Sequence, residues 1–330
     1  MLFFIKKWLY FDIDYIVLLQ LEANKYHLKY ATGKKSVNGI MKAALQKSPI
    51  SEDHLFDVKY LTAPYFDPNW HFHPEFQLFL VLKGTGTRFI GDHVSPFDKG
   101  DLVFTGPNLP HVWQSDHEYF KEDEELLTEG IVIYFPGNFL GQDFLNNNEL
   151  YKIKQLFQKA QRGMELKGET ASQMRDMMHG MLTETDFDRV LLLLKLLNTM
   201  AKSTEYKLLA SEGYTNTMKE TETDRMNRVH SYVMKNFREK ISLDEVASIA
   251  NMSPTSFSRY FKIHANKTFS DFLTEIRIGY SCKLLTTQKM SVSQVCYDSG
   301  FNTLSNFNRQ FKAMTHYNPL EYKRKYTIEF

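Results

Sequence analysis

Two stretches near the C-terminus repeat one order of apolar and polar positions. Phe257 and Phe261 stand one helical turn apart among Thr255, Ser258, Arg259 and Lys262; fifty positions on, Phe307 and Phe311 stand among Ser305, Asn308, Arg309 and Lys312. An apolar pair at i and i+4 with polar neighbours predicts a helix buried on one side. The flanks repeat too: Val246-Ala247 before Asn251-Met252 answers Val295-Cys296 before Gly300-Phe301, and Thr268 to Phe272 answers Asn318 to Tyr322. Two copies indicate a duplicated motif. In each copy a capping box opens a short helix, Ser242 with Glu245 and Ser291 with Gln294. A turn at Asn251, or at Gly300, leads to a second helix capped by Ser253 ahead of Pro254, or by Asn302 or Thr303. Each copy therefore reads as helix, short turn, helix, with a polar outer face.

Upstream, the period changes from helical to alternating. Phe56–Thr62, His71–Lys83, Thr87–Ile90, Asp101–Thr105, His111–Gln114 and Leu126–Phe135 are predicted strands. Gly84, Gly86, Gly91-Asp92, Pro96, Gly100, Gly106-Pro107 and Pro110 punctuate them. Many short strands at near-even spacing predict a barrel or a sandwich. From about Asn148 to Lys219 the pattern is helical again, broken at Gly163 to Gly168. Phe187 to Met200 is apolar on more than one face yet too short to cross a bilayer, which predicts burial on several sides. Ser203 to Thr223, with Gly213 and many Thr and Glu, reads as an interdomain linker. Residues 1–21 are apolar but broken by Lys6, Lys7, Asp12 and Asp14, and fit neither a membrane span nor a signal peptide, and the residues through Gly39 carry no clear core pattern. They read as an extension outside the folded domain, with Met41 resembling a natural start.

A net charge of +1 hides an asymmetry. Thr221 to Phe330 carries 16 basic against 10 acidic residues, and the remainder 24 against 29. The C-terminal part is the half suited to a polyanion. The two cysteines, Cys282 and Cys296, lack metal-ligand spacing, read as buried structural residues, and fit a reducing cytosol.

Thr255, Ser258, Arg259 and Lys262 share one face of the first predicted outer helix; Ser305, Asn308, Arg309 and Lys312 share the matching face of the second. Arg reads guanine, Asn reads adenine, and Lys meets phosphate. A pair of helical hairpins with merely solvated basic faces is the plain alternative. Residues 224 to 326 resemble the DNA-binding domain of the AraC family of transcription regulators, including the terminal Asn318-Pro319-Leu320-Glu321-Tyr322 segment. The resemblance implies two helix-turn-helix units joined by a long helix, here about Phe269 to Thr287. Leu304 departs from the polar residues usual near the start of the second recognition helix, and packs either on a thymine methyl or in the core.

Two constellations lie in the strand region. One is Trp70-His71-Phe72-His73-Pro74-Glu75-Phe76-Gln77, where alternation places His71, His73, Glu75 and Gln77 on one face of a strand. The other is Gly100-Asp101 followed by Gly106 to His111. They resemble the two motifs of the cupin barrel, which supply interior metal ligands; by position these are His71, His73, Gln77 and His111. Gln77 stands where the carboxylate is usual, and an amide is a weak ligand for the metals imidazole favours. The expectation is no metal and no cofactor. The strings GTGTRFIGDH and GDLVFTGPNLPHVW also resemble the cupin-type sensor found ahead of AraC-type DNA-binding units. Trp70, Arg88 and Trp113 are candidate pocket walls.

The expected fold is α+β: an N-terminal cupin-like β-barrel with flanking helices, then a C-terminal all-α double helix-turn-helix domain. The expected divisions are 1–40 extension, 41–147 sensor, 148–202 helical dimerisation segment, 203–223 linker and 224–330 DNA-binding domain. The expected ligand-binding residues are His71, His73, Glu75, Arg88, His111 and Trp113. The resemblance implies a cytoplasmic homodimer that binds double-stranded promoter DNA, contacts RNA polymerase and acts as an activator under control of a small-molecule effector, a sugar being the class it suggests. A metal-dependent cupin enzyme fused to a DNA-binding domain is the alternative.

Overall fold

The computed structural model describes residues 50, 53–121, 126–141, 143–216 and 220–326; the expected extension 1–40 lies outside them. Nine strands form: β1 (Asp57–Ala63), β2 (Phe76–Lys83), β3 (Gly86–Ile90), β4 (His93–Phe97), β5 (Leu102–Thr105), β6 (His111–Ser115), β7 (Thr128–Phe135), β8 (Met164–Leu166) and β9 (Tyr206–Leu208). They make a six-stranded sheet, β1-β7-β2-β5-β8-β9, and a three-stranded sheet, β4-β3-β6. Every pairing is antiparallel. No closed cylinder forms among the described residues; an isolated bridge between His71 and His111 adds to the two sheets.

Strand β2 explains why the sheets stack. Phe76, Leu78 and Leu80 point to one side, into a core with Phe104, Ile131, Ile133 and Phe135. Phe79 and Val81 point to the other, into a core with Ile90, Val103 and Trp113. Both faces are buried, so the strand is apolar at nearly every position. Each such side chain contributes about 1.5–3 kcal/mol by leaving water. The first core is closed by helices α1 (Tyr151–Ala160), α2 (Gly168–Thr183) and α3 (Asp186–Lys202). Helix α3 buries Leu193, Leu196, Leu197 and Met200 but leaves Phe187 and Leu191 exposed.

Three departures from the expected strands have physical reasons. His71–Lys83 is not one strand: Pro74, which has no amide hydrogen, sits at a bend, and β2 begins at Phe76. His71, His73, Glu75 and Gln77 therefore do not line one continuous strand. No strand is expected at His93–Phe97, where Pro96 marks punctuation, but β4 forms there as an edge strand, where proline is tolerated. The expected helix break at 163–168 holds β8, and the expected linker holds β9; the two short strands pair with each other at the sheet edge.

The C-terminal part is helical: α4 (Glu220–Asn236), α5 (Leu243–Ile249), α6 (Pro254–Ala265), α7 (Phe269–Thr287), α8 (Val292–Asp298), α9 (Leu304–Thr315) and α10 (Pro319–Tyr326). Both capping boxes form, at Ser242/Glu245 and at Ser291/Gln294. Thr303 caps α9. The duplication extends to the backbone. Asn251 and Gly300 turn with φ of 55° and 84°, and Asn266 and His316 end their helices with φ of 53° and 65°. The first copy is built around Val246, Ala247, Phe257 and Phe261, the second around Val295, Cys296, Phe307 and Phe311. Helix α7 supplies Phe272, Leu273 and Ile276 to the first core and Ile278, Cys282 and Leu285 to the second. Cys282 and Cys296 are free and buried, and burial pushes the Cys282 thiol up to about 12. Among the described residues no helix is long and apolar enough to cross a membrane.

Candidate functional site

The polar faces of α6 and α9 are open. Thr255, Ser258, Arg259 and Lys262 are exposed on α6, and Ser305, Asn308, Arg309 and Lys312 are exposed on α9. Phe257 and Phe261, with Phe307 and Phe311, hold the opposite faces in their cores, fully buried. The two helices thus present the same four positions outward. Leu304 is half-buried and packs on the second core. Sequence reasoning missed Asn306, whose Oδ1 accepts from Arg309 Nη2 at 3.0 Å and aims the guanidinium. The i, i+3 spacing was the available signal.

The sensor histidines meet where the two sheets face each other. Mutual backbone hydrogen bonds at 3.2 and 2.8 Å join His71 to His111. Tyr134 packs edge-on to His73 with centroids 5.2 Å apart. The Gln77 side-chain amide lies 3.1 Å from His73 Nε2 and 3.2 Å from His111 Nε2. His71 Nδ1 donates to the Asn69 carbonyl and His111 Nδ1 to the Leu109 carbonyl, each at 2.7 Å. His73 Nδ1 faces Glu75 Oε2 at 3.3 Å. Burial pushes His71 below the usual imidazole range, and His111 well below it, so both rings stay neutral. One ring nitrogen from each of the three lies within 4.8 Å of the others. That donor set fits a transition-metal ion of the kind the cupin motifs suggest, with the Gln77 amide in place of a carboxylate.

The other expected ligand residues lie differently. Arg88 is fully buried, its guanidinium paired with Asp101, with Glu165 at 3.1 Å and with Ser95 Oγ at 3.0 Å. It ties the small sheet to the large one, apart from the histidines. Burial raises the Asp101 carboxyl and the Arg88 charge opposes it. Trp113 donates from Nε1 to Asp101 at 3.0 Å, and its ring lies 5.8 Å from His111. The structure brings together His71, His73, Glu75 and His111 with Gln77, and puts Trp113 at their border.

Residues 246–325 match a helix-turn-helix domain family, and residues 56–197 match the AraC-like ligand binding domain family. The chain belongs to the AraC family. It is a DNA-binding transcription regulator with a ligand-binding domain. The regulator is 26% identical over 269 residues to the uncharacterized HTH-type transcriptional regulator YdeC of Bacillus subtilis (strain 168), which covers 77% of this chain and 85% of that one. The C-terminal domain of AraT, a response regulator from Geobacillus stearothermophilus, is similar at 27% identity and TM-score 0.31, covering 32% of this chain and 88% of its own. The DNA-binding domain of AdpA, solved with a target DNA, is similar at 23% identity and TM-score 0.29, covering 30% of this chain and 88% of its own.

In this AraC-family regulator the sensor grips the first helix-turn-helix unit and the long helix. Trp70, Phe89 and Val112 of the sensor share one buried core with Met226, Val229 and Phe272. Asp92, in the β3–β4 turn, accepts from Ser211 and from Asn266, the left-handed residue ending α6, at 3.0 Å. Lys283 of α7 pairs with Asp116 and donates to Thr85 Oγ1 at 3.1 Å. Helix α7 also covers the edge strand β4: a Cβ on Gly279 would lie 3.6 Å from Pro96. Neither recognition face is covered by these contacts.

Proposed function

We propose that the chain is a transcription activator whose DNA affinity is set by a small ligand bound at the histidine cluster. The shared core is the observation that carries this reading: a change at His71 reaches Trp70 and then the helices of the first DNA-binding unit without crossing solvent. The eight exposed residues of α6 and α9 read two successive major grooves on one face of the duplex, about one helical turn apart. The boundaries set out above serve as working domains. Helix α3 contributes to a homodimer through the exposed Phe187 and Leu191. The protein works in the cytoplasm, contacts RNA polymerase, and is not an enzyme.

The test pairs two measurements on the purified chain. The first is protection of promoter DNA, expected over roughly 20 base pairs per subunit. The second is the melting temperature against mono- and oligosaccharides, the class the resemblance suggests, and against chelator; selective binding raises apparent stability by mass action. No specific protection at any site would end the reading.

A further inference from the structure

The helical side of the large sheet holds a cavity of about 240 Å³, between α1, α3 and the chain leading out of β7. We propose that this cavity binds a small apolar amine, with a hydrocarbon body of about ten carbon atoms and one cationic nitrogen.

The site is separate from the histidine cluster. Adjacent residues of a strand face opposite sides. On β7, Tyr134 packs against His73, while Phe135 packs against Phe139 and Phe157 with centroids 5.3 and 6.0 Å apart. Phe139 and Phe157 line the cavity, together with Leu197 of α3. All three belong to the first core. The cavity therefore lies on one face of the large sheet and the histidines on the other.

Size and lining define the ligand. Packed interiors hold few voids larger than a water molecule. An apolar cavity of about 150 Å³ takes benzene, so this one has room for two fused rings. Its walls are hydrocarbon, with Phe157 and Leu197 buried and Ile153 and Leu194 half-buried. Two polar side chains line it, Glu149 from the turn before α1 and Asn198 from α3, and both are exposed, which places them at the mouth. Among the described residues no lysine, arginine or histidine lines it. An apolar acid would set its carboxylate beside Glu149 with no cation to offset the repulsion. An amine instead brings its charge to the Glu149 carboxylate and donates an N–H to the Asn198 amide oxygen. An apolar cavity with a few placed polar groups is the usual form of a small-molecule site. An entry path is present as well: Gly141 turns with φ of 100°, and a Cβ there would meet nothing within 4 Å among the described residues.

Calorimetric titration of the full chain with 1-naphthylmethylamine, and with 1-naphthoate as an anion of matched body, tests the site. The expected result is saturable binding of one amine per chain and a melting temperature that rises with amine concentration. Naphthoate should bind about tenfold more weakly or worse. Glu149→Gln, a change at an exposed side chain, should weaken the amine about fivefold or more and spare naphthoate. Leu194→Trp fills the cavity and should abolish amine binding. His111→Ala, across the sheet, should bind the amine as the wild type does. Absence of amine binding overturns the proposal, and so does equal binding of amine and naphthoate. Wild-type binding by Glu149→Gln or by a folded Leu194→Trp, or loss of binding in His111→Ala, overturns it too. Glu149→Gln decides alone if Leu194→Trp does not fold. If the wild type binds no amine and Leu194→Trp turns a dimer into a monomer in sedimentation, the occupant is a second copy of the chain and the proposal fails.

Discussion

Asn227 holds Trp70 by both of its backbone groups, the N–H at 2.7 Å and the carbonyl at 3.1 Å, from 157 positions away in sequence. A side-chain amide bonded in this way substitutes for a strand partner, and both groups are buried. Asn227→Ala leaves a buried N–H and a buried carbonyl without partners, which costs about 1–3 kcal/mol for each such group. Calorimetry of the full chain should show a lower melting temperature. It should also show the sensor and DNA-binding transitions separating where the wild type melts as one.

Arg259 and Arg309 occupy equivalent exposed positions on the two outer helices. Arg259→Ala and Arg309→Ala should each cost about 1–3 kcal/mol at the cognate site and relax preference at one base pair. Asn306→Ala should reproduce part of the Arg309 effect, since Asn306 holds that guanidinium at 3.0 Å. Competition binding against single-base variants of the site checks both. A loss that is uniform across sequences would make the arginine a phosphate contact.

Lys262→Ala should act differently. Removing one phosphate contact lowers the slope of log affinity against log salt by about 0.9 while leaving sequence preference unchanged. A salt titration of the variant beside the wild type measures it.

Gly300 turns with φ of 84°, and a Cβ there would stand 2.7 Å from the Phe237 carbonyl oxygen and 2.8 Å from that of Arg238. Gly300→Ala meets both left-handed strain and a backbone clash. It should destabilise the second helix-turn-helix unit by about 1–3 kcal/mol or more. The matching Asn251 has φ of 55° and a side chain that tolerates this region. Asn251→Gly should stay within about 1 kcal/mol of the wild type. Urea unfolding of both variants separates the two cases.

His230 sits between the sensor and the DNA-binding helices, its ring 4.8 Å from Trp70, 4.9 Å from Phe89 and 5.0 Å from Phe272. Burial pushes it down to about 3, from 6.5 in the unfolded chain. Asp92, His264 and Lys267 line the same cavity of about 10 Å³. Between those two values the unfolded chain binds the proton and the folded chain does not. The contribution of His230 is therefore whole above about pH 6.5 and is lost as the pH falls toward 3. Urea midpoints at pH 7.5 and pH 5 should differ more in the wild type than in His230→Leu.

The sequence by itself determined the duplicated unit. Its helices are local objects, and the capping boxes, the Phe pairs one turn apart and the left-handed turn at Gly300 all lie within a few residues of what they control. Strands β3, β5, β6 and β7 were legible for the same reason, in alternation and turn residues. What the sequence could not decide were contacts closed over long separations. Pro74 broke the expected strand, yet a backbone bridge to His111 returned His71 to the cluster. Arg88 looked like a pocket residue until Asp101 and Glu165 arrived from other strands to neutralise it. Pro96 read as a turn because its edge position and its cover by α7 are set by sheet order. The coupling of sensor to DNA-binding helices is of the same kind. Trp70 and Asn227 carry no mutual signal in the chain, and only packing that removes both from water makes each the required partner of the other.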